Sequence, residues 1–178
     1  MNKNEEMIVG TSENAKSTGK LVIVLLIILV IVLGVIIYIV ESKPEEPITI
    51  NNEELTEKLK TNGDFADLLE KTDKEIAIKE YELDENLIKD VVMYRGSGAS
   101  AEEILIVESK EQNYVNKIEE NIEKNMKEKE EAFANYLPDE VNKIKEKILK
   151  IKGNYVILCI SKDSDKIEST INEYLQER

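Results

Sequence analysis

Few places in this chain could carry chemistry. The densest is "YRGSGASAEE", Tyr94 to Glu103, where glycines, serines and alanines lie between two apolar runs and end in paired carboxylates. A phosphate cradle needs a glycine-rich turn that feeds a helix N-terminus, so that backbone N–H groups and the helix dipole meet the anion. Here the β-rich run "EILIVES" follows, and no P-loop lysine comes after the glycines. "GSG" is too short for a dinucleotide fingerprint. Ser100 and Glu103 have capping-box spacing, but no helix pattern follows them. The plain reading is a hairpin turn, roughly five residues longer than the minimal two-residue form, with Gly96 and Gly98 at positive φ. The functional reading is an edge loop that contacts a partner. Gly96, Ser97, Gly98, Ser100, Glu102 and Glu103 are therefore the candidate interaction residues.

The other reactive groups are sparse. Histidine and tryptophan are absent, and Cys159 is the single cysteine. A lone thiol makes no disulfide within the chain and no cysteine metal cluster. Cys159 sits in the continuous apolar run "VILCI" with no histidine to activate it, so packing is its expected role. Asp163 and Asp165 are close enough to hold a weak Ca²⁺, but the EF-hand spacing and its distal Glu are missing, and helix capping explains them better. Tyr155 follows a second turn and is a candidate surface aromatic, with packing and partner contact both open. No catalytic, cofactor-binding or metal-ligating residue is assigned, and an enzyme is not expected.

The net charge of −13 disfavours nucleic acid and other polyanions, which need clustered Lys and Arg. One segment sets the location. "LVIVLLIILVIVLGVIIYIV", residues 21–40, carries no charge. As a helix it spans roughly 30 Å, the thickness of a bilayer core. It is longer than a signal-peptide core and lacks a small-residue cleavage site, so it reads as an uncleaved signal anchor whose partner is the lipid bilayer. Lys3, Lys16 and Lys20 precede it, while Lys43 follows among Glu41, Glu45 and Glu46. The positive-inside rule then places the N-terminus in the cytoplasm and the C-terminal domain outside the cell.

The elements that must position the loop follow from periodicity. Residues 1–20 are polar and expected to be disordered, and 41–50, with Pro44 and Pro47, form a spacer. The domain is expected over 51–178. "NNEELTEKLKTNG" is a short helix capped by Asn51 or Asn52. "DFADLLEK" reads as a second, burying Phe65, Leu68 and Leu69; in "DKEIAIKEYEL" Ile76 and Ile78 alternate as in a strand, while Asp73 as a cap and the face of Ile76, Ala77 and Tyr81 favour a short third helix. "DVVMY" and "EILIVES" are strands on either side of the glycine loop. In "NYVNKIEENIEKNMKEKEEAFANYL", Val115, Ile118, Ile122, Met126 and Phe133 form one helical stripe that Pro138 ends. Its outer face pairs Glu120 with Lys124 and Glu123 with Lys127. "KILKIKGNYVILCIS" is a hairpin turned by Gly153-Asn154. "DSDKIESTINEYL" closes the chain as a helix.

The two halves echo each other: "VVMYRG" and "ILKIKG" each precede a strand ending Ser-Lys-acid, then a helix. The expected fold is α+β, a four-stranded antiparallel sheet from two hairpins, each followed by a helix on one common face (ββαββα). Short helices and the N-terminal transmembrane helix precede it.

"DVVMYRGSGASAEEILIVESKE" and "AFANYLPDEVNKIKEKILKIKGNYVILCIS", with the spacing between them, resemble the Firmicutes extracytoplasmic domain of unknown function 4358 family. The resemblance runs from about Asp64 to Leu175. It rests on the small-residue turn with Ala101-Glu102-Glu103-Ile104, on Tyr136-Leu137-Pro138 and on Lys152-Gly153-Asn154-Tyr155-Val156. It implies a cell-envelope location and a fold, but no reaction, cofactor or catalytic residue. The expected protein is an anchored interaction or accessory module with an envelope protein partner. A surface domain that binds a small ligand or ion is the alternative, and an enzyme acting on envelope polymers comes last.

Overall fold

Apolar runs without polar alternation build the centre of the sheet. β-strands of this kind are buried on both faces. A computed structural model describes residues 22–23, 25–35 and 48–177. These fall in two units, within Met1–Pro44 and Glu45–Arg178. In the first, residues 22–23 and 25–35 are helical with exposed side chains. Among the described residues, no helix is long and apolar enough to cross a membrane. The rest of the expected 21–40 span, the tail 1–20 and residues 41–47 of the spacer lie outside the described residues.

In the second unit the order is α1 (Asn52–Asn62), β1 (Glu70–Thr72), α2 (Lys74–Glu80), β2 (Ile88–Arg95) and β3 (Glu103–Ser109), then α3 (Val115–Ala134), α4 (Pro138–Lys145), β4 (Ile148–Lys152), β5 (Tyr155–Ile160) and α5 (Ser164–Gln176). The five strands form one antiparallel sheet in the order β1-β2-β3-β5-β4. Both hairpins therefore lie in the same sheet, joined through β3 and β5. The expected four strands become five because "EKT" forms the short edge strand β1. Three residues are too few to show a period.

The helices do not share a face. α2, α3 and α4 cover the side that carries Met93, Leu105, Val107, Val156 and Leu158. α1 and α5 cover the side that carries Ile104, Ile106, Ile157 and Cys159. All of β3 and all of β5 are buried, so a sheet covered on one face would leave half of these side chains in water. The repeated unit holds as an order of elements, but its two helices pack on opposite sides.

Several local readings stand. Asn51 caps α1 by accepting from the Glu54 N–H at 3.2 Å. Asp163 caps α5 through the Lys166 N–H at 3.1 Å, and that bond together with the Lys166 ammonium holds its carboxyl below the usual value. The stripe on α3 is buried as expected. Pro138 does not simply end that helix, since α3 stops at Ala134 and Pro138 opens α4. Lys124 turns to Glu82 and Glu128 rather than Glu120, and Glu123 meets Lys147.

Residues 64–69 are not a helix, and Leu68, expected inside, is 81% exposed. The peptide N–H groups of that segment serve Glu102 instead, as described below. Tyr155 is not a surface aromatic: it is buried at 2% exposure, because its alternate position in β5 faces the α1–α5 layer. Burial and the Glu108 carboxylate push its phenol up. Cys159 is buried in the same layer, and burial pushes its thiol well up.

Two-sided burial gives a direct test. Leu105→Ala and Ile106→Ala should each lower the unfolding free energy by about 2–5 kcal/mol in chemical denaturation. A near-neutral result for either one would contradict coverage of both faces.

Candidate interaction site at the 96–103 turn

β2 and β3 run together until Arg95 faces Glu103, and the chain between them forms the turn. The Gly96 N–H donates to the Glu102 carbonyl at 2.9 Å and closes its base. Ser100 N–H donates to the Ser97 carbonyl at 2.9 Å, and the Ser100 hydroxyl accepts from the Glu102 N–H at 3.2 Å. Neither Gly96 nor Gly98 takes a positive φ; among the described glycines Gly153 alone does, at 57°. Gly96 is needed for space instead. A Cβ there would lie 3.1 Å from Ser100 Cβ and 3.2 Å from Asp67 Cβ, whereas one on Gly98 would meet nothing within 4 Å.

The six candidate residues divide into an exposed tip and a buried base. Ser97, Gly98 and Ala99 are exposed, while Glu102 and Glu103 are each 1% exposed. The two carboxylates reach different partners. Glu103 reaches the α2–α3 layer. It accepts the buried Tyr81 hydroxyl and pairs with Lys129 at 2.5 Å. Burial and the charge of Glu103 push the Tyr81 phenol well up, so it stays protonated and donates. Lys129 also lies 3.8 Å from Glu80, which pairs with Arg95 at 2.8 Å.

Glu102 lies in a ring of contacts that encloses the loop. Its Oε2 accepts the N–H groups of Ala66 and Asp67 at 2.8 and 3.0 Å. This fixes Asp67, whose Oδ2 accepts the Ser97 N–H at 3.1 Å and hydroxyl at 2.6 Å. At the other end of the loop, Ala101 N–H donates to Glu140 at 2.8 Å. Lys143 joins Glu140 to Glu102 at 3.0 and 2.9 Å and completes the circuit. Burial works to lower the Lys143 pKa, but these two carboxylates raise it on balance. Under the loop lies a cleft of about 470 Å³, bounded by Glu70, Glu80, Arg95, Lys129 and Phe133.

Asp67, Glu140, Lys143, Tyr81 and Lys129 carry no motif of their own in the sequence. The available signal was two adjacent acids at the mouth of a fully apolar strand, which must meet cations and donors once the strand is buried. No group of His, Cys, Asp or Glu suited to a metal ion occurs among the described residues.

The fold and site define an α+β domain whose antiparallel sheet is covered on both sides and carries a braced, small-residue turn at one end. The chain belongs to the family described as domain of unknown function (DUF4358), whose model matches residues 61–161. The match spans β1 to β5, including the turn and its bracing residues, and stops before α5. No curated protein and no solved structure matches the chain.

Removing one cation should expose the cost of the buried carboxylate. Lys143→Met should lower the unfolding free energy by about 3–5 kcal/mol, because it leaves the buried Glu102 carboxyl without its cation. Adding Glu102→Gln should recover much of that loss. Equal losses in the single and double variants would show that the ion pair is not the source.

The Ser97 bonds give a second test. They hold the Asp67 carboxyl below its ordinary 3.8. A depressed folded-state pKa contributes stability that is complete above the ordinary value and fades as the pH falls through the folded one. Ser97→Ala should therefore raise the Asp67 pKa toward 3.8 in an NMR titration, and no change would show the loop is not held there.

Proposed function

We propose that this chain is a single-pass membrane-anchored interaction module of the cell envelope, with no catalytic role of its own. Residues 21–40 would be the anchor, the N-terminus cytoplasmic, and the domain displayed outside the cell of a Firmicute. One observation carries the interaction reading. The exposed tip Ser97-Gly98-Ala99 is tied down by a closed ring of polar contacts that runs from the buried Glu102 out to the solvent-exposed Asp67–Ser97 bonds. A loop ordered before binding loses less entropy when a partner engages it. The carboxylates beneath it are occupied by Lys129, Lys143 and Tyr81, which favours bracing over acid–base work. Small residues at the tip let a partner approach the backbone closely.

Photo-crosslinking residues at Ser97 and Ala99 of the full chain, in its native membrane, should capture one defined envelope protein. The same residue at Gln112, near the opposite end of the sheet, should not. Background capture from all three positions would overturn the reading. Orientation has its own test. A membrane-impermeant thiol reagent should label Ser97→Cys but not Ser12→Cys on intact cells, and the reverse pattern would overturn the topology. Cys159 is buried and contributes little background.

A further inference from the structure

The edge beside the loop has features of its own. Among the described residues, β1 ends the sheet and pairs with β2 alone, so no described strand lies along its other side. Exposed strand edges recruit further strands unless they are blocked. Outside the N-terminal helix, the described residues include three exposed large hydrophobics: Leu68, Ile76 and Tyr136. Leu68 lies two residues before β1 and Ile76 four residues after it. A cleft of about 200 Å³ runs along β1 between Lys71, Asp73 and Ile76. It shares Glu70, Arg95 and Gly96 with the larger cleft under the loop, so the two adjoin.

We propose that the free edge of β1 takes an extended peptide segment of a partner protein by strand addition, and that a basic side chain of that segment enters the cleft beneath the 96–101 turn. In this mode main-chain hydrogen bonds give affinity and alternate side chains give specificity. Leu68 and Ile76 offer apolar contacts to either side of the added strand. The cleft selects charge. Glu80, Glu102 and Glu103 are already paired with Arg95, Lys143 and Lys129, which leaves the exposed Glu70, with no ion-pair partner among the described residues, as the open carboxylate of the cleft. A second copy of this chain is a poorer occupant, since it brings the same acidic edge and a net charge of −13. The inference rests on the interaction-module reading and names the chemistry of its partner.

The test uses the full chain in detergent micelles and a ten-residue peptide of alternating Val and Lys. We expect saturable binding, and slowed hydrogen exchange at residues 70–72. N-methylation of alternate peptide amides should weaken binding about tenfold, the loss of one or two hydrogen bonds. Glu70→Lys, a surface change that should leave the fold intact by circular dichroism, should weaken it several-fold. A Val/Glu peptide should bind more weakly than Val/Lys. Unchanged exchange at 70–72, or equal affinity for the N-methylated peptide, overturns the proposal. If the peptide fails while Ser97 and Ala99 still crosslink a defined protein, β1 is not the docking edge and the module reading stands. If the crosslinks fail too, both fall.

Discussion

Glu102 and Glu103 are charged groups at the mouth of a strand with no exposed face. β3 is buried along its whole length, between β2 and β5 in the sheet and between two helical layers above and below. Carboxylates in that position are costly unless cations and donors reach them. Much of the surrounding structure is arranged to meet this need. α3 supplies Lys129, α4 supplies Lys143, α2 is followed by Tyr81, and the segment before β1 gives up helix to offer two peptide N–H groups. The arrangement does not have to be more stable than an apolar alternative. It specifies where four separate segments must meet, and the turn is fixed as a consequence.

The same constraint explains what the sequence revealed. Helix positions with a clear 3.6-residue stripe, such as Ile118, Ile122 and Met126, were legible because each face differs from the other. The Gly153-Asn154 turn was legible because two residues leave little choice of geometry. Coverage on both faces was present in the uninterrupted runs "EILIV" and "YVILCI" but was lost to the expectation of one helical layer. The echo between the halves points to that single layer. Ile104 and Val156 occupy matching places in the repeat, yet they face opposite layers, and the helix that follows each strand covers the other layer: α3 packs with Val156 and α5 with Ile104.

Where side-chain partners decide the outcome, periodicity was silent. "DFADLLEK" has apolar spacing that suits a helix, and a helix there would have buried Leu68. Its N–H groups at 66 and 67 bind Glu102, 36 and 35 residues ahead, so a long-range carboxylate overrides a local preference. α4 was hidden for a related reason. Pro138 read as a stop, although proline at the first helical position is equally a start. The family match indicates which of these segments recur together, but it assigns none of them a task.

The two hairpin turns of the sheet show how length relates to use. The Gly153-Asn154 turn is minimal, and its contacts are internal. Asn154 exchanges bonds with Ser109, and Ile48 covers Gly153. It lies at the end of the sheet where the chain enters the domain. The 96–102 turn lies at the other end, and every added residue there is either tied into the bracing ring or left bare at the tip. Reversing a strand needs neither the ring nor the tip, since the shorter turn manages without them. What the longer turn adds is a fixed, uncovered backbone beside an acidic cleft and an unpaired strand edge. Those three features fall within a few residues of one another because Arg95, Gly96 and Glu70 bring β1, β2 and the turn together. A surface of that kind suits an extended, basic chain better than a small anion, and it separates this domain from the phosphate-binding loops that its glycines superficially suggest.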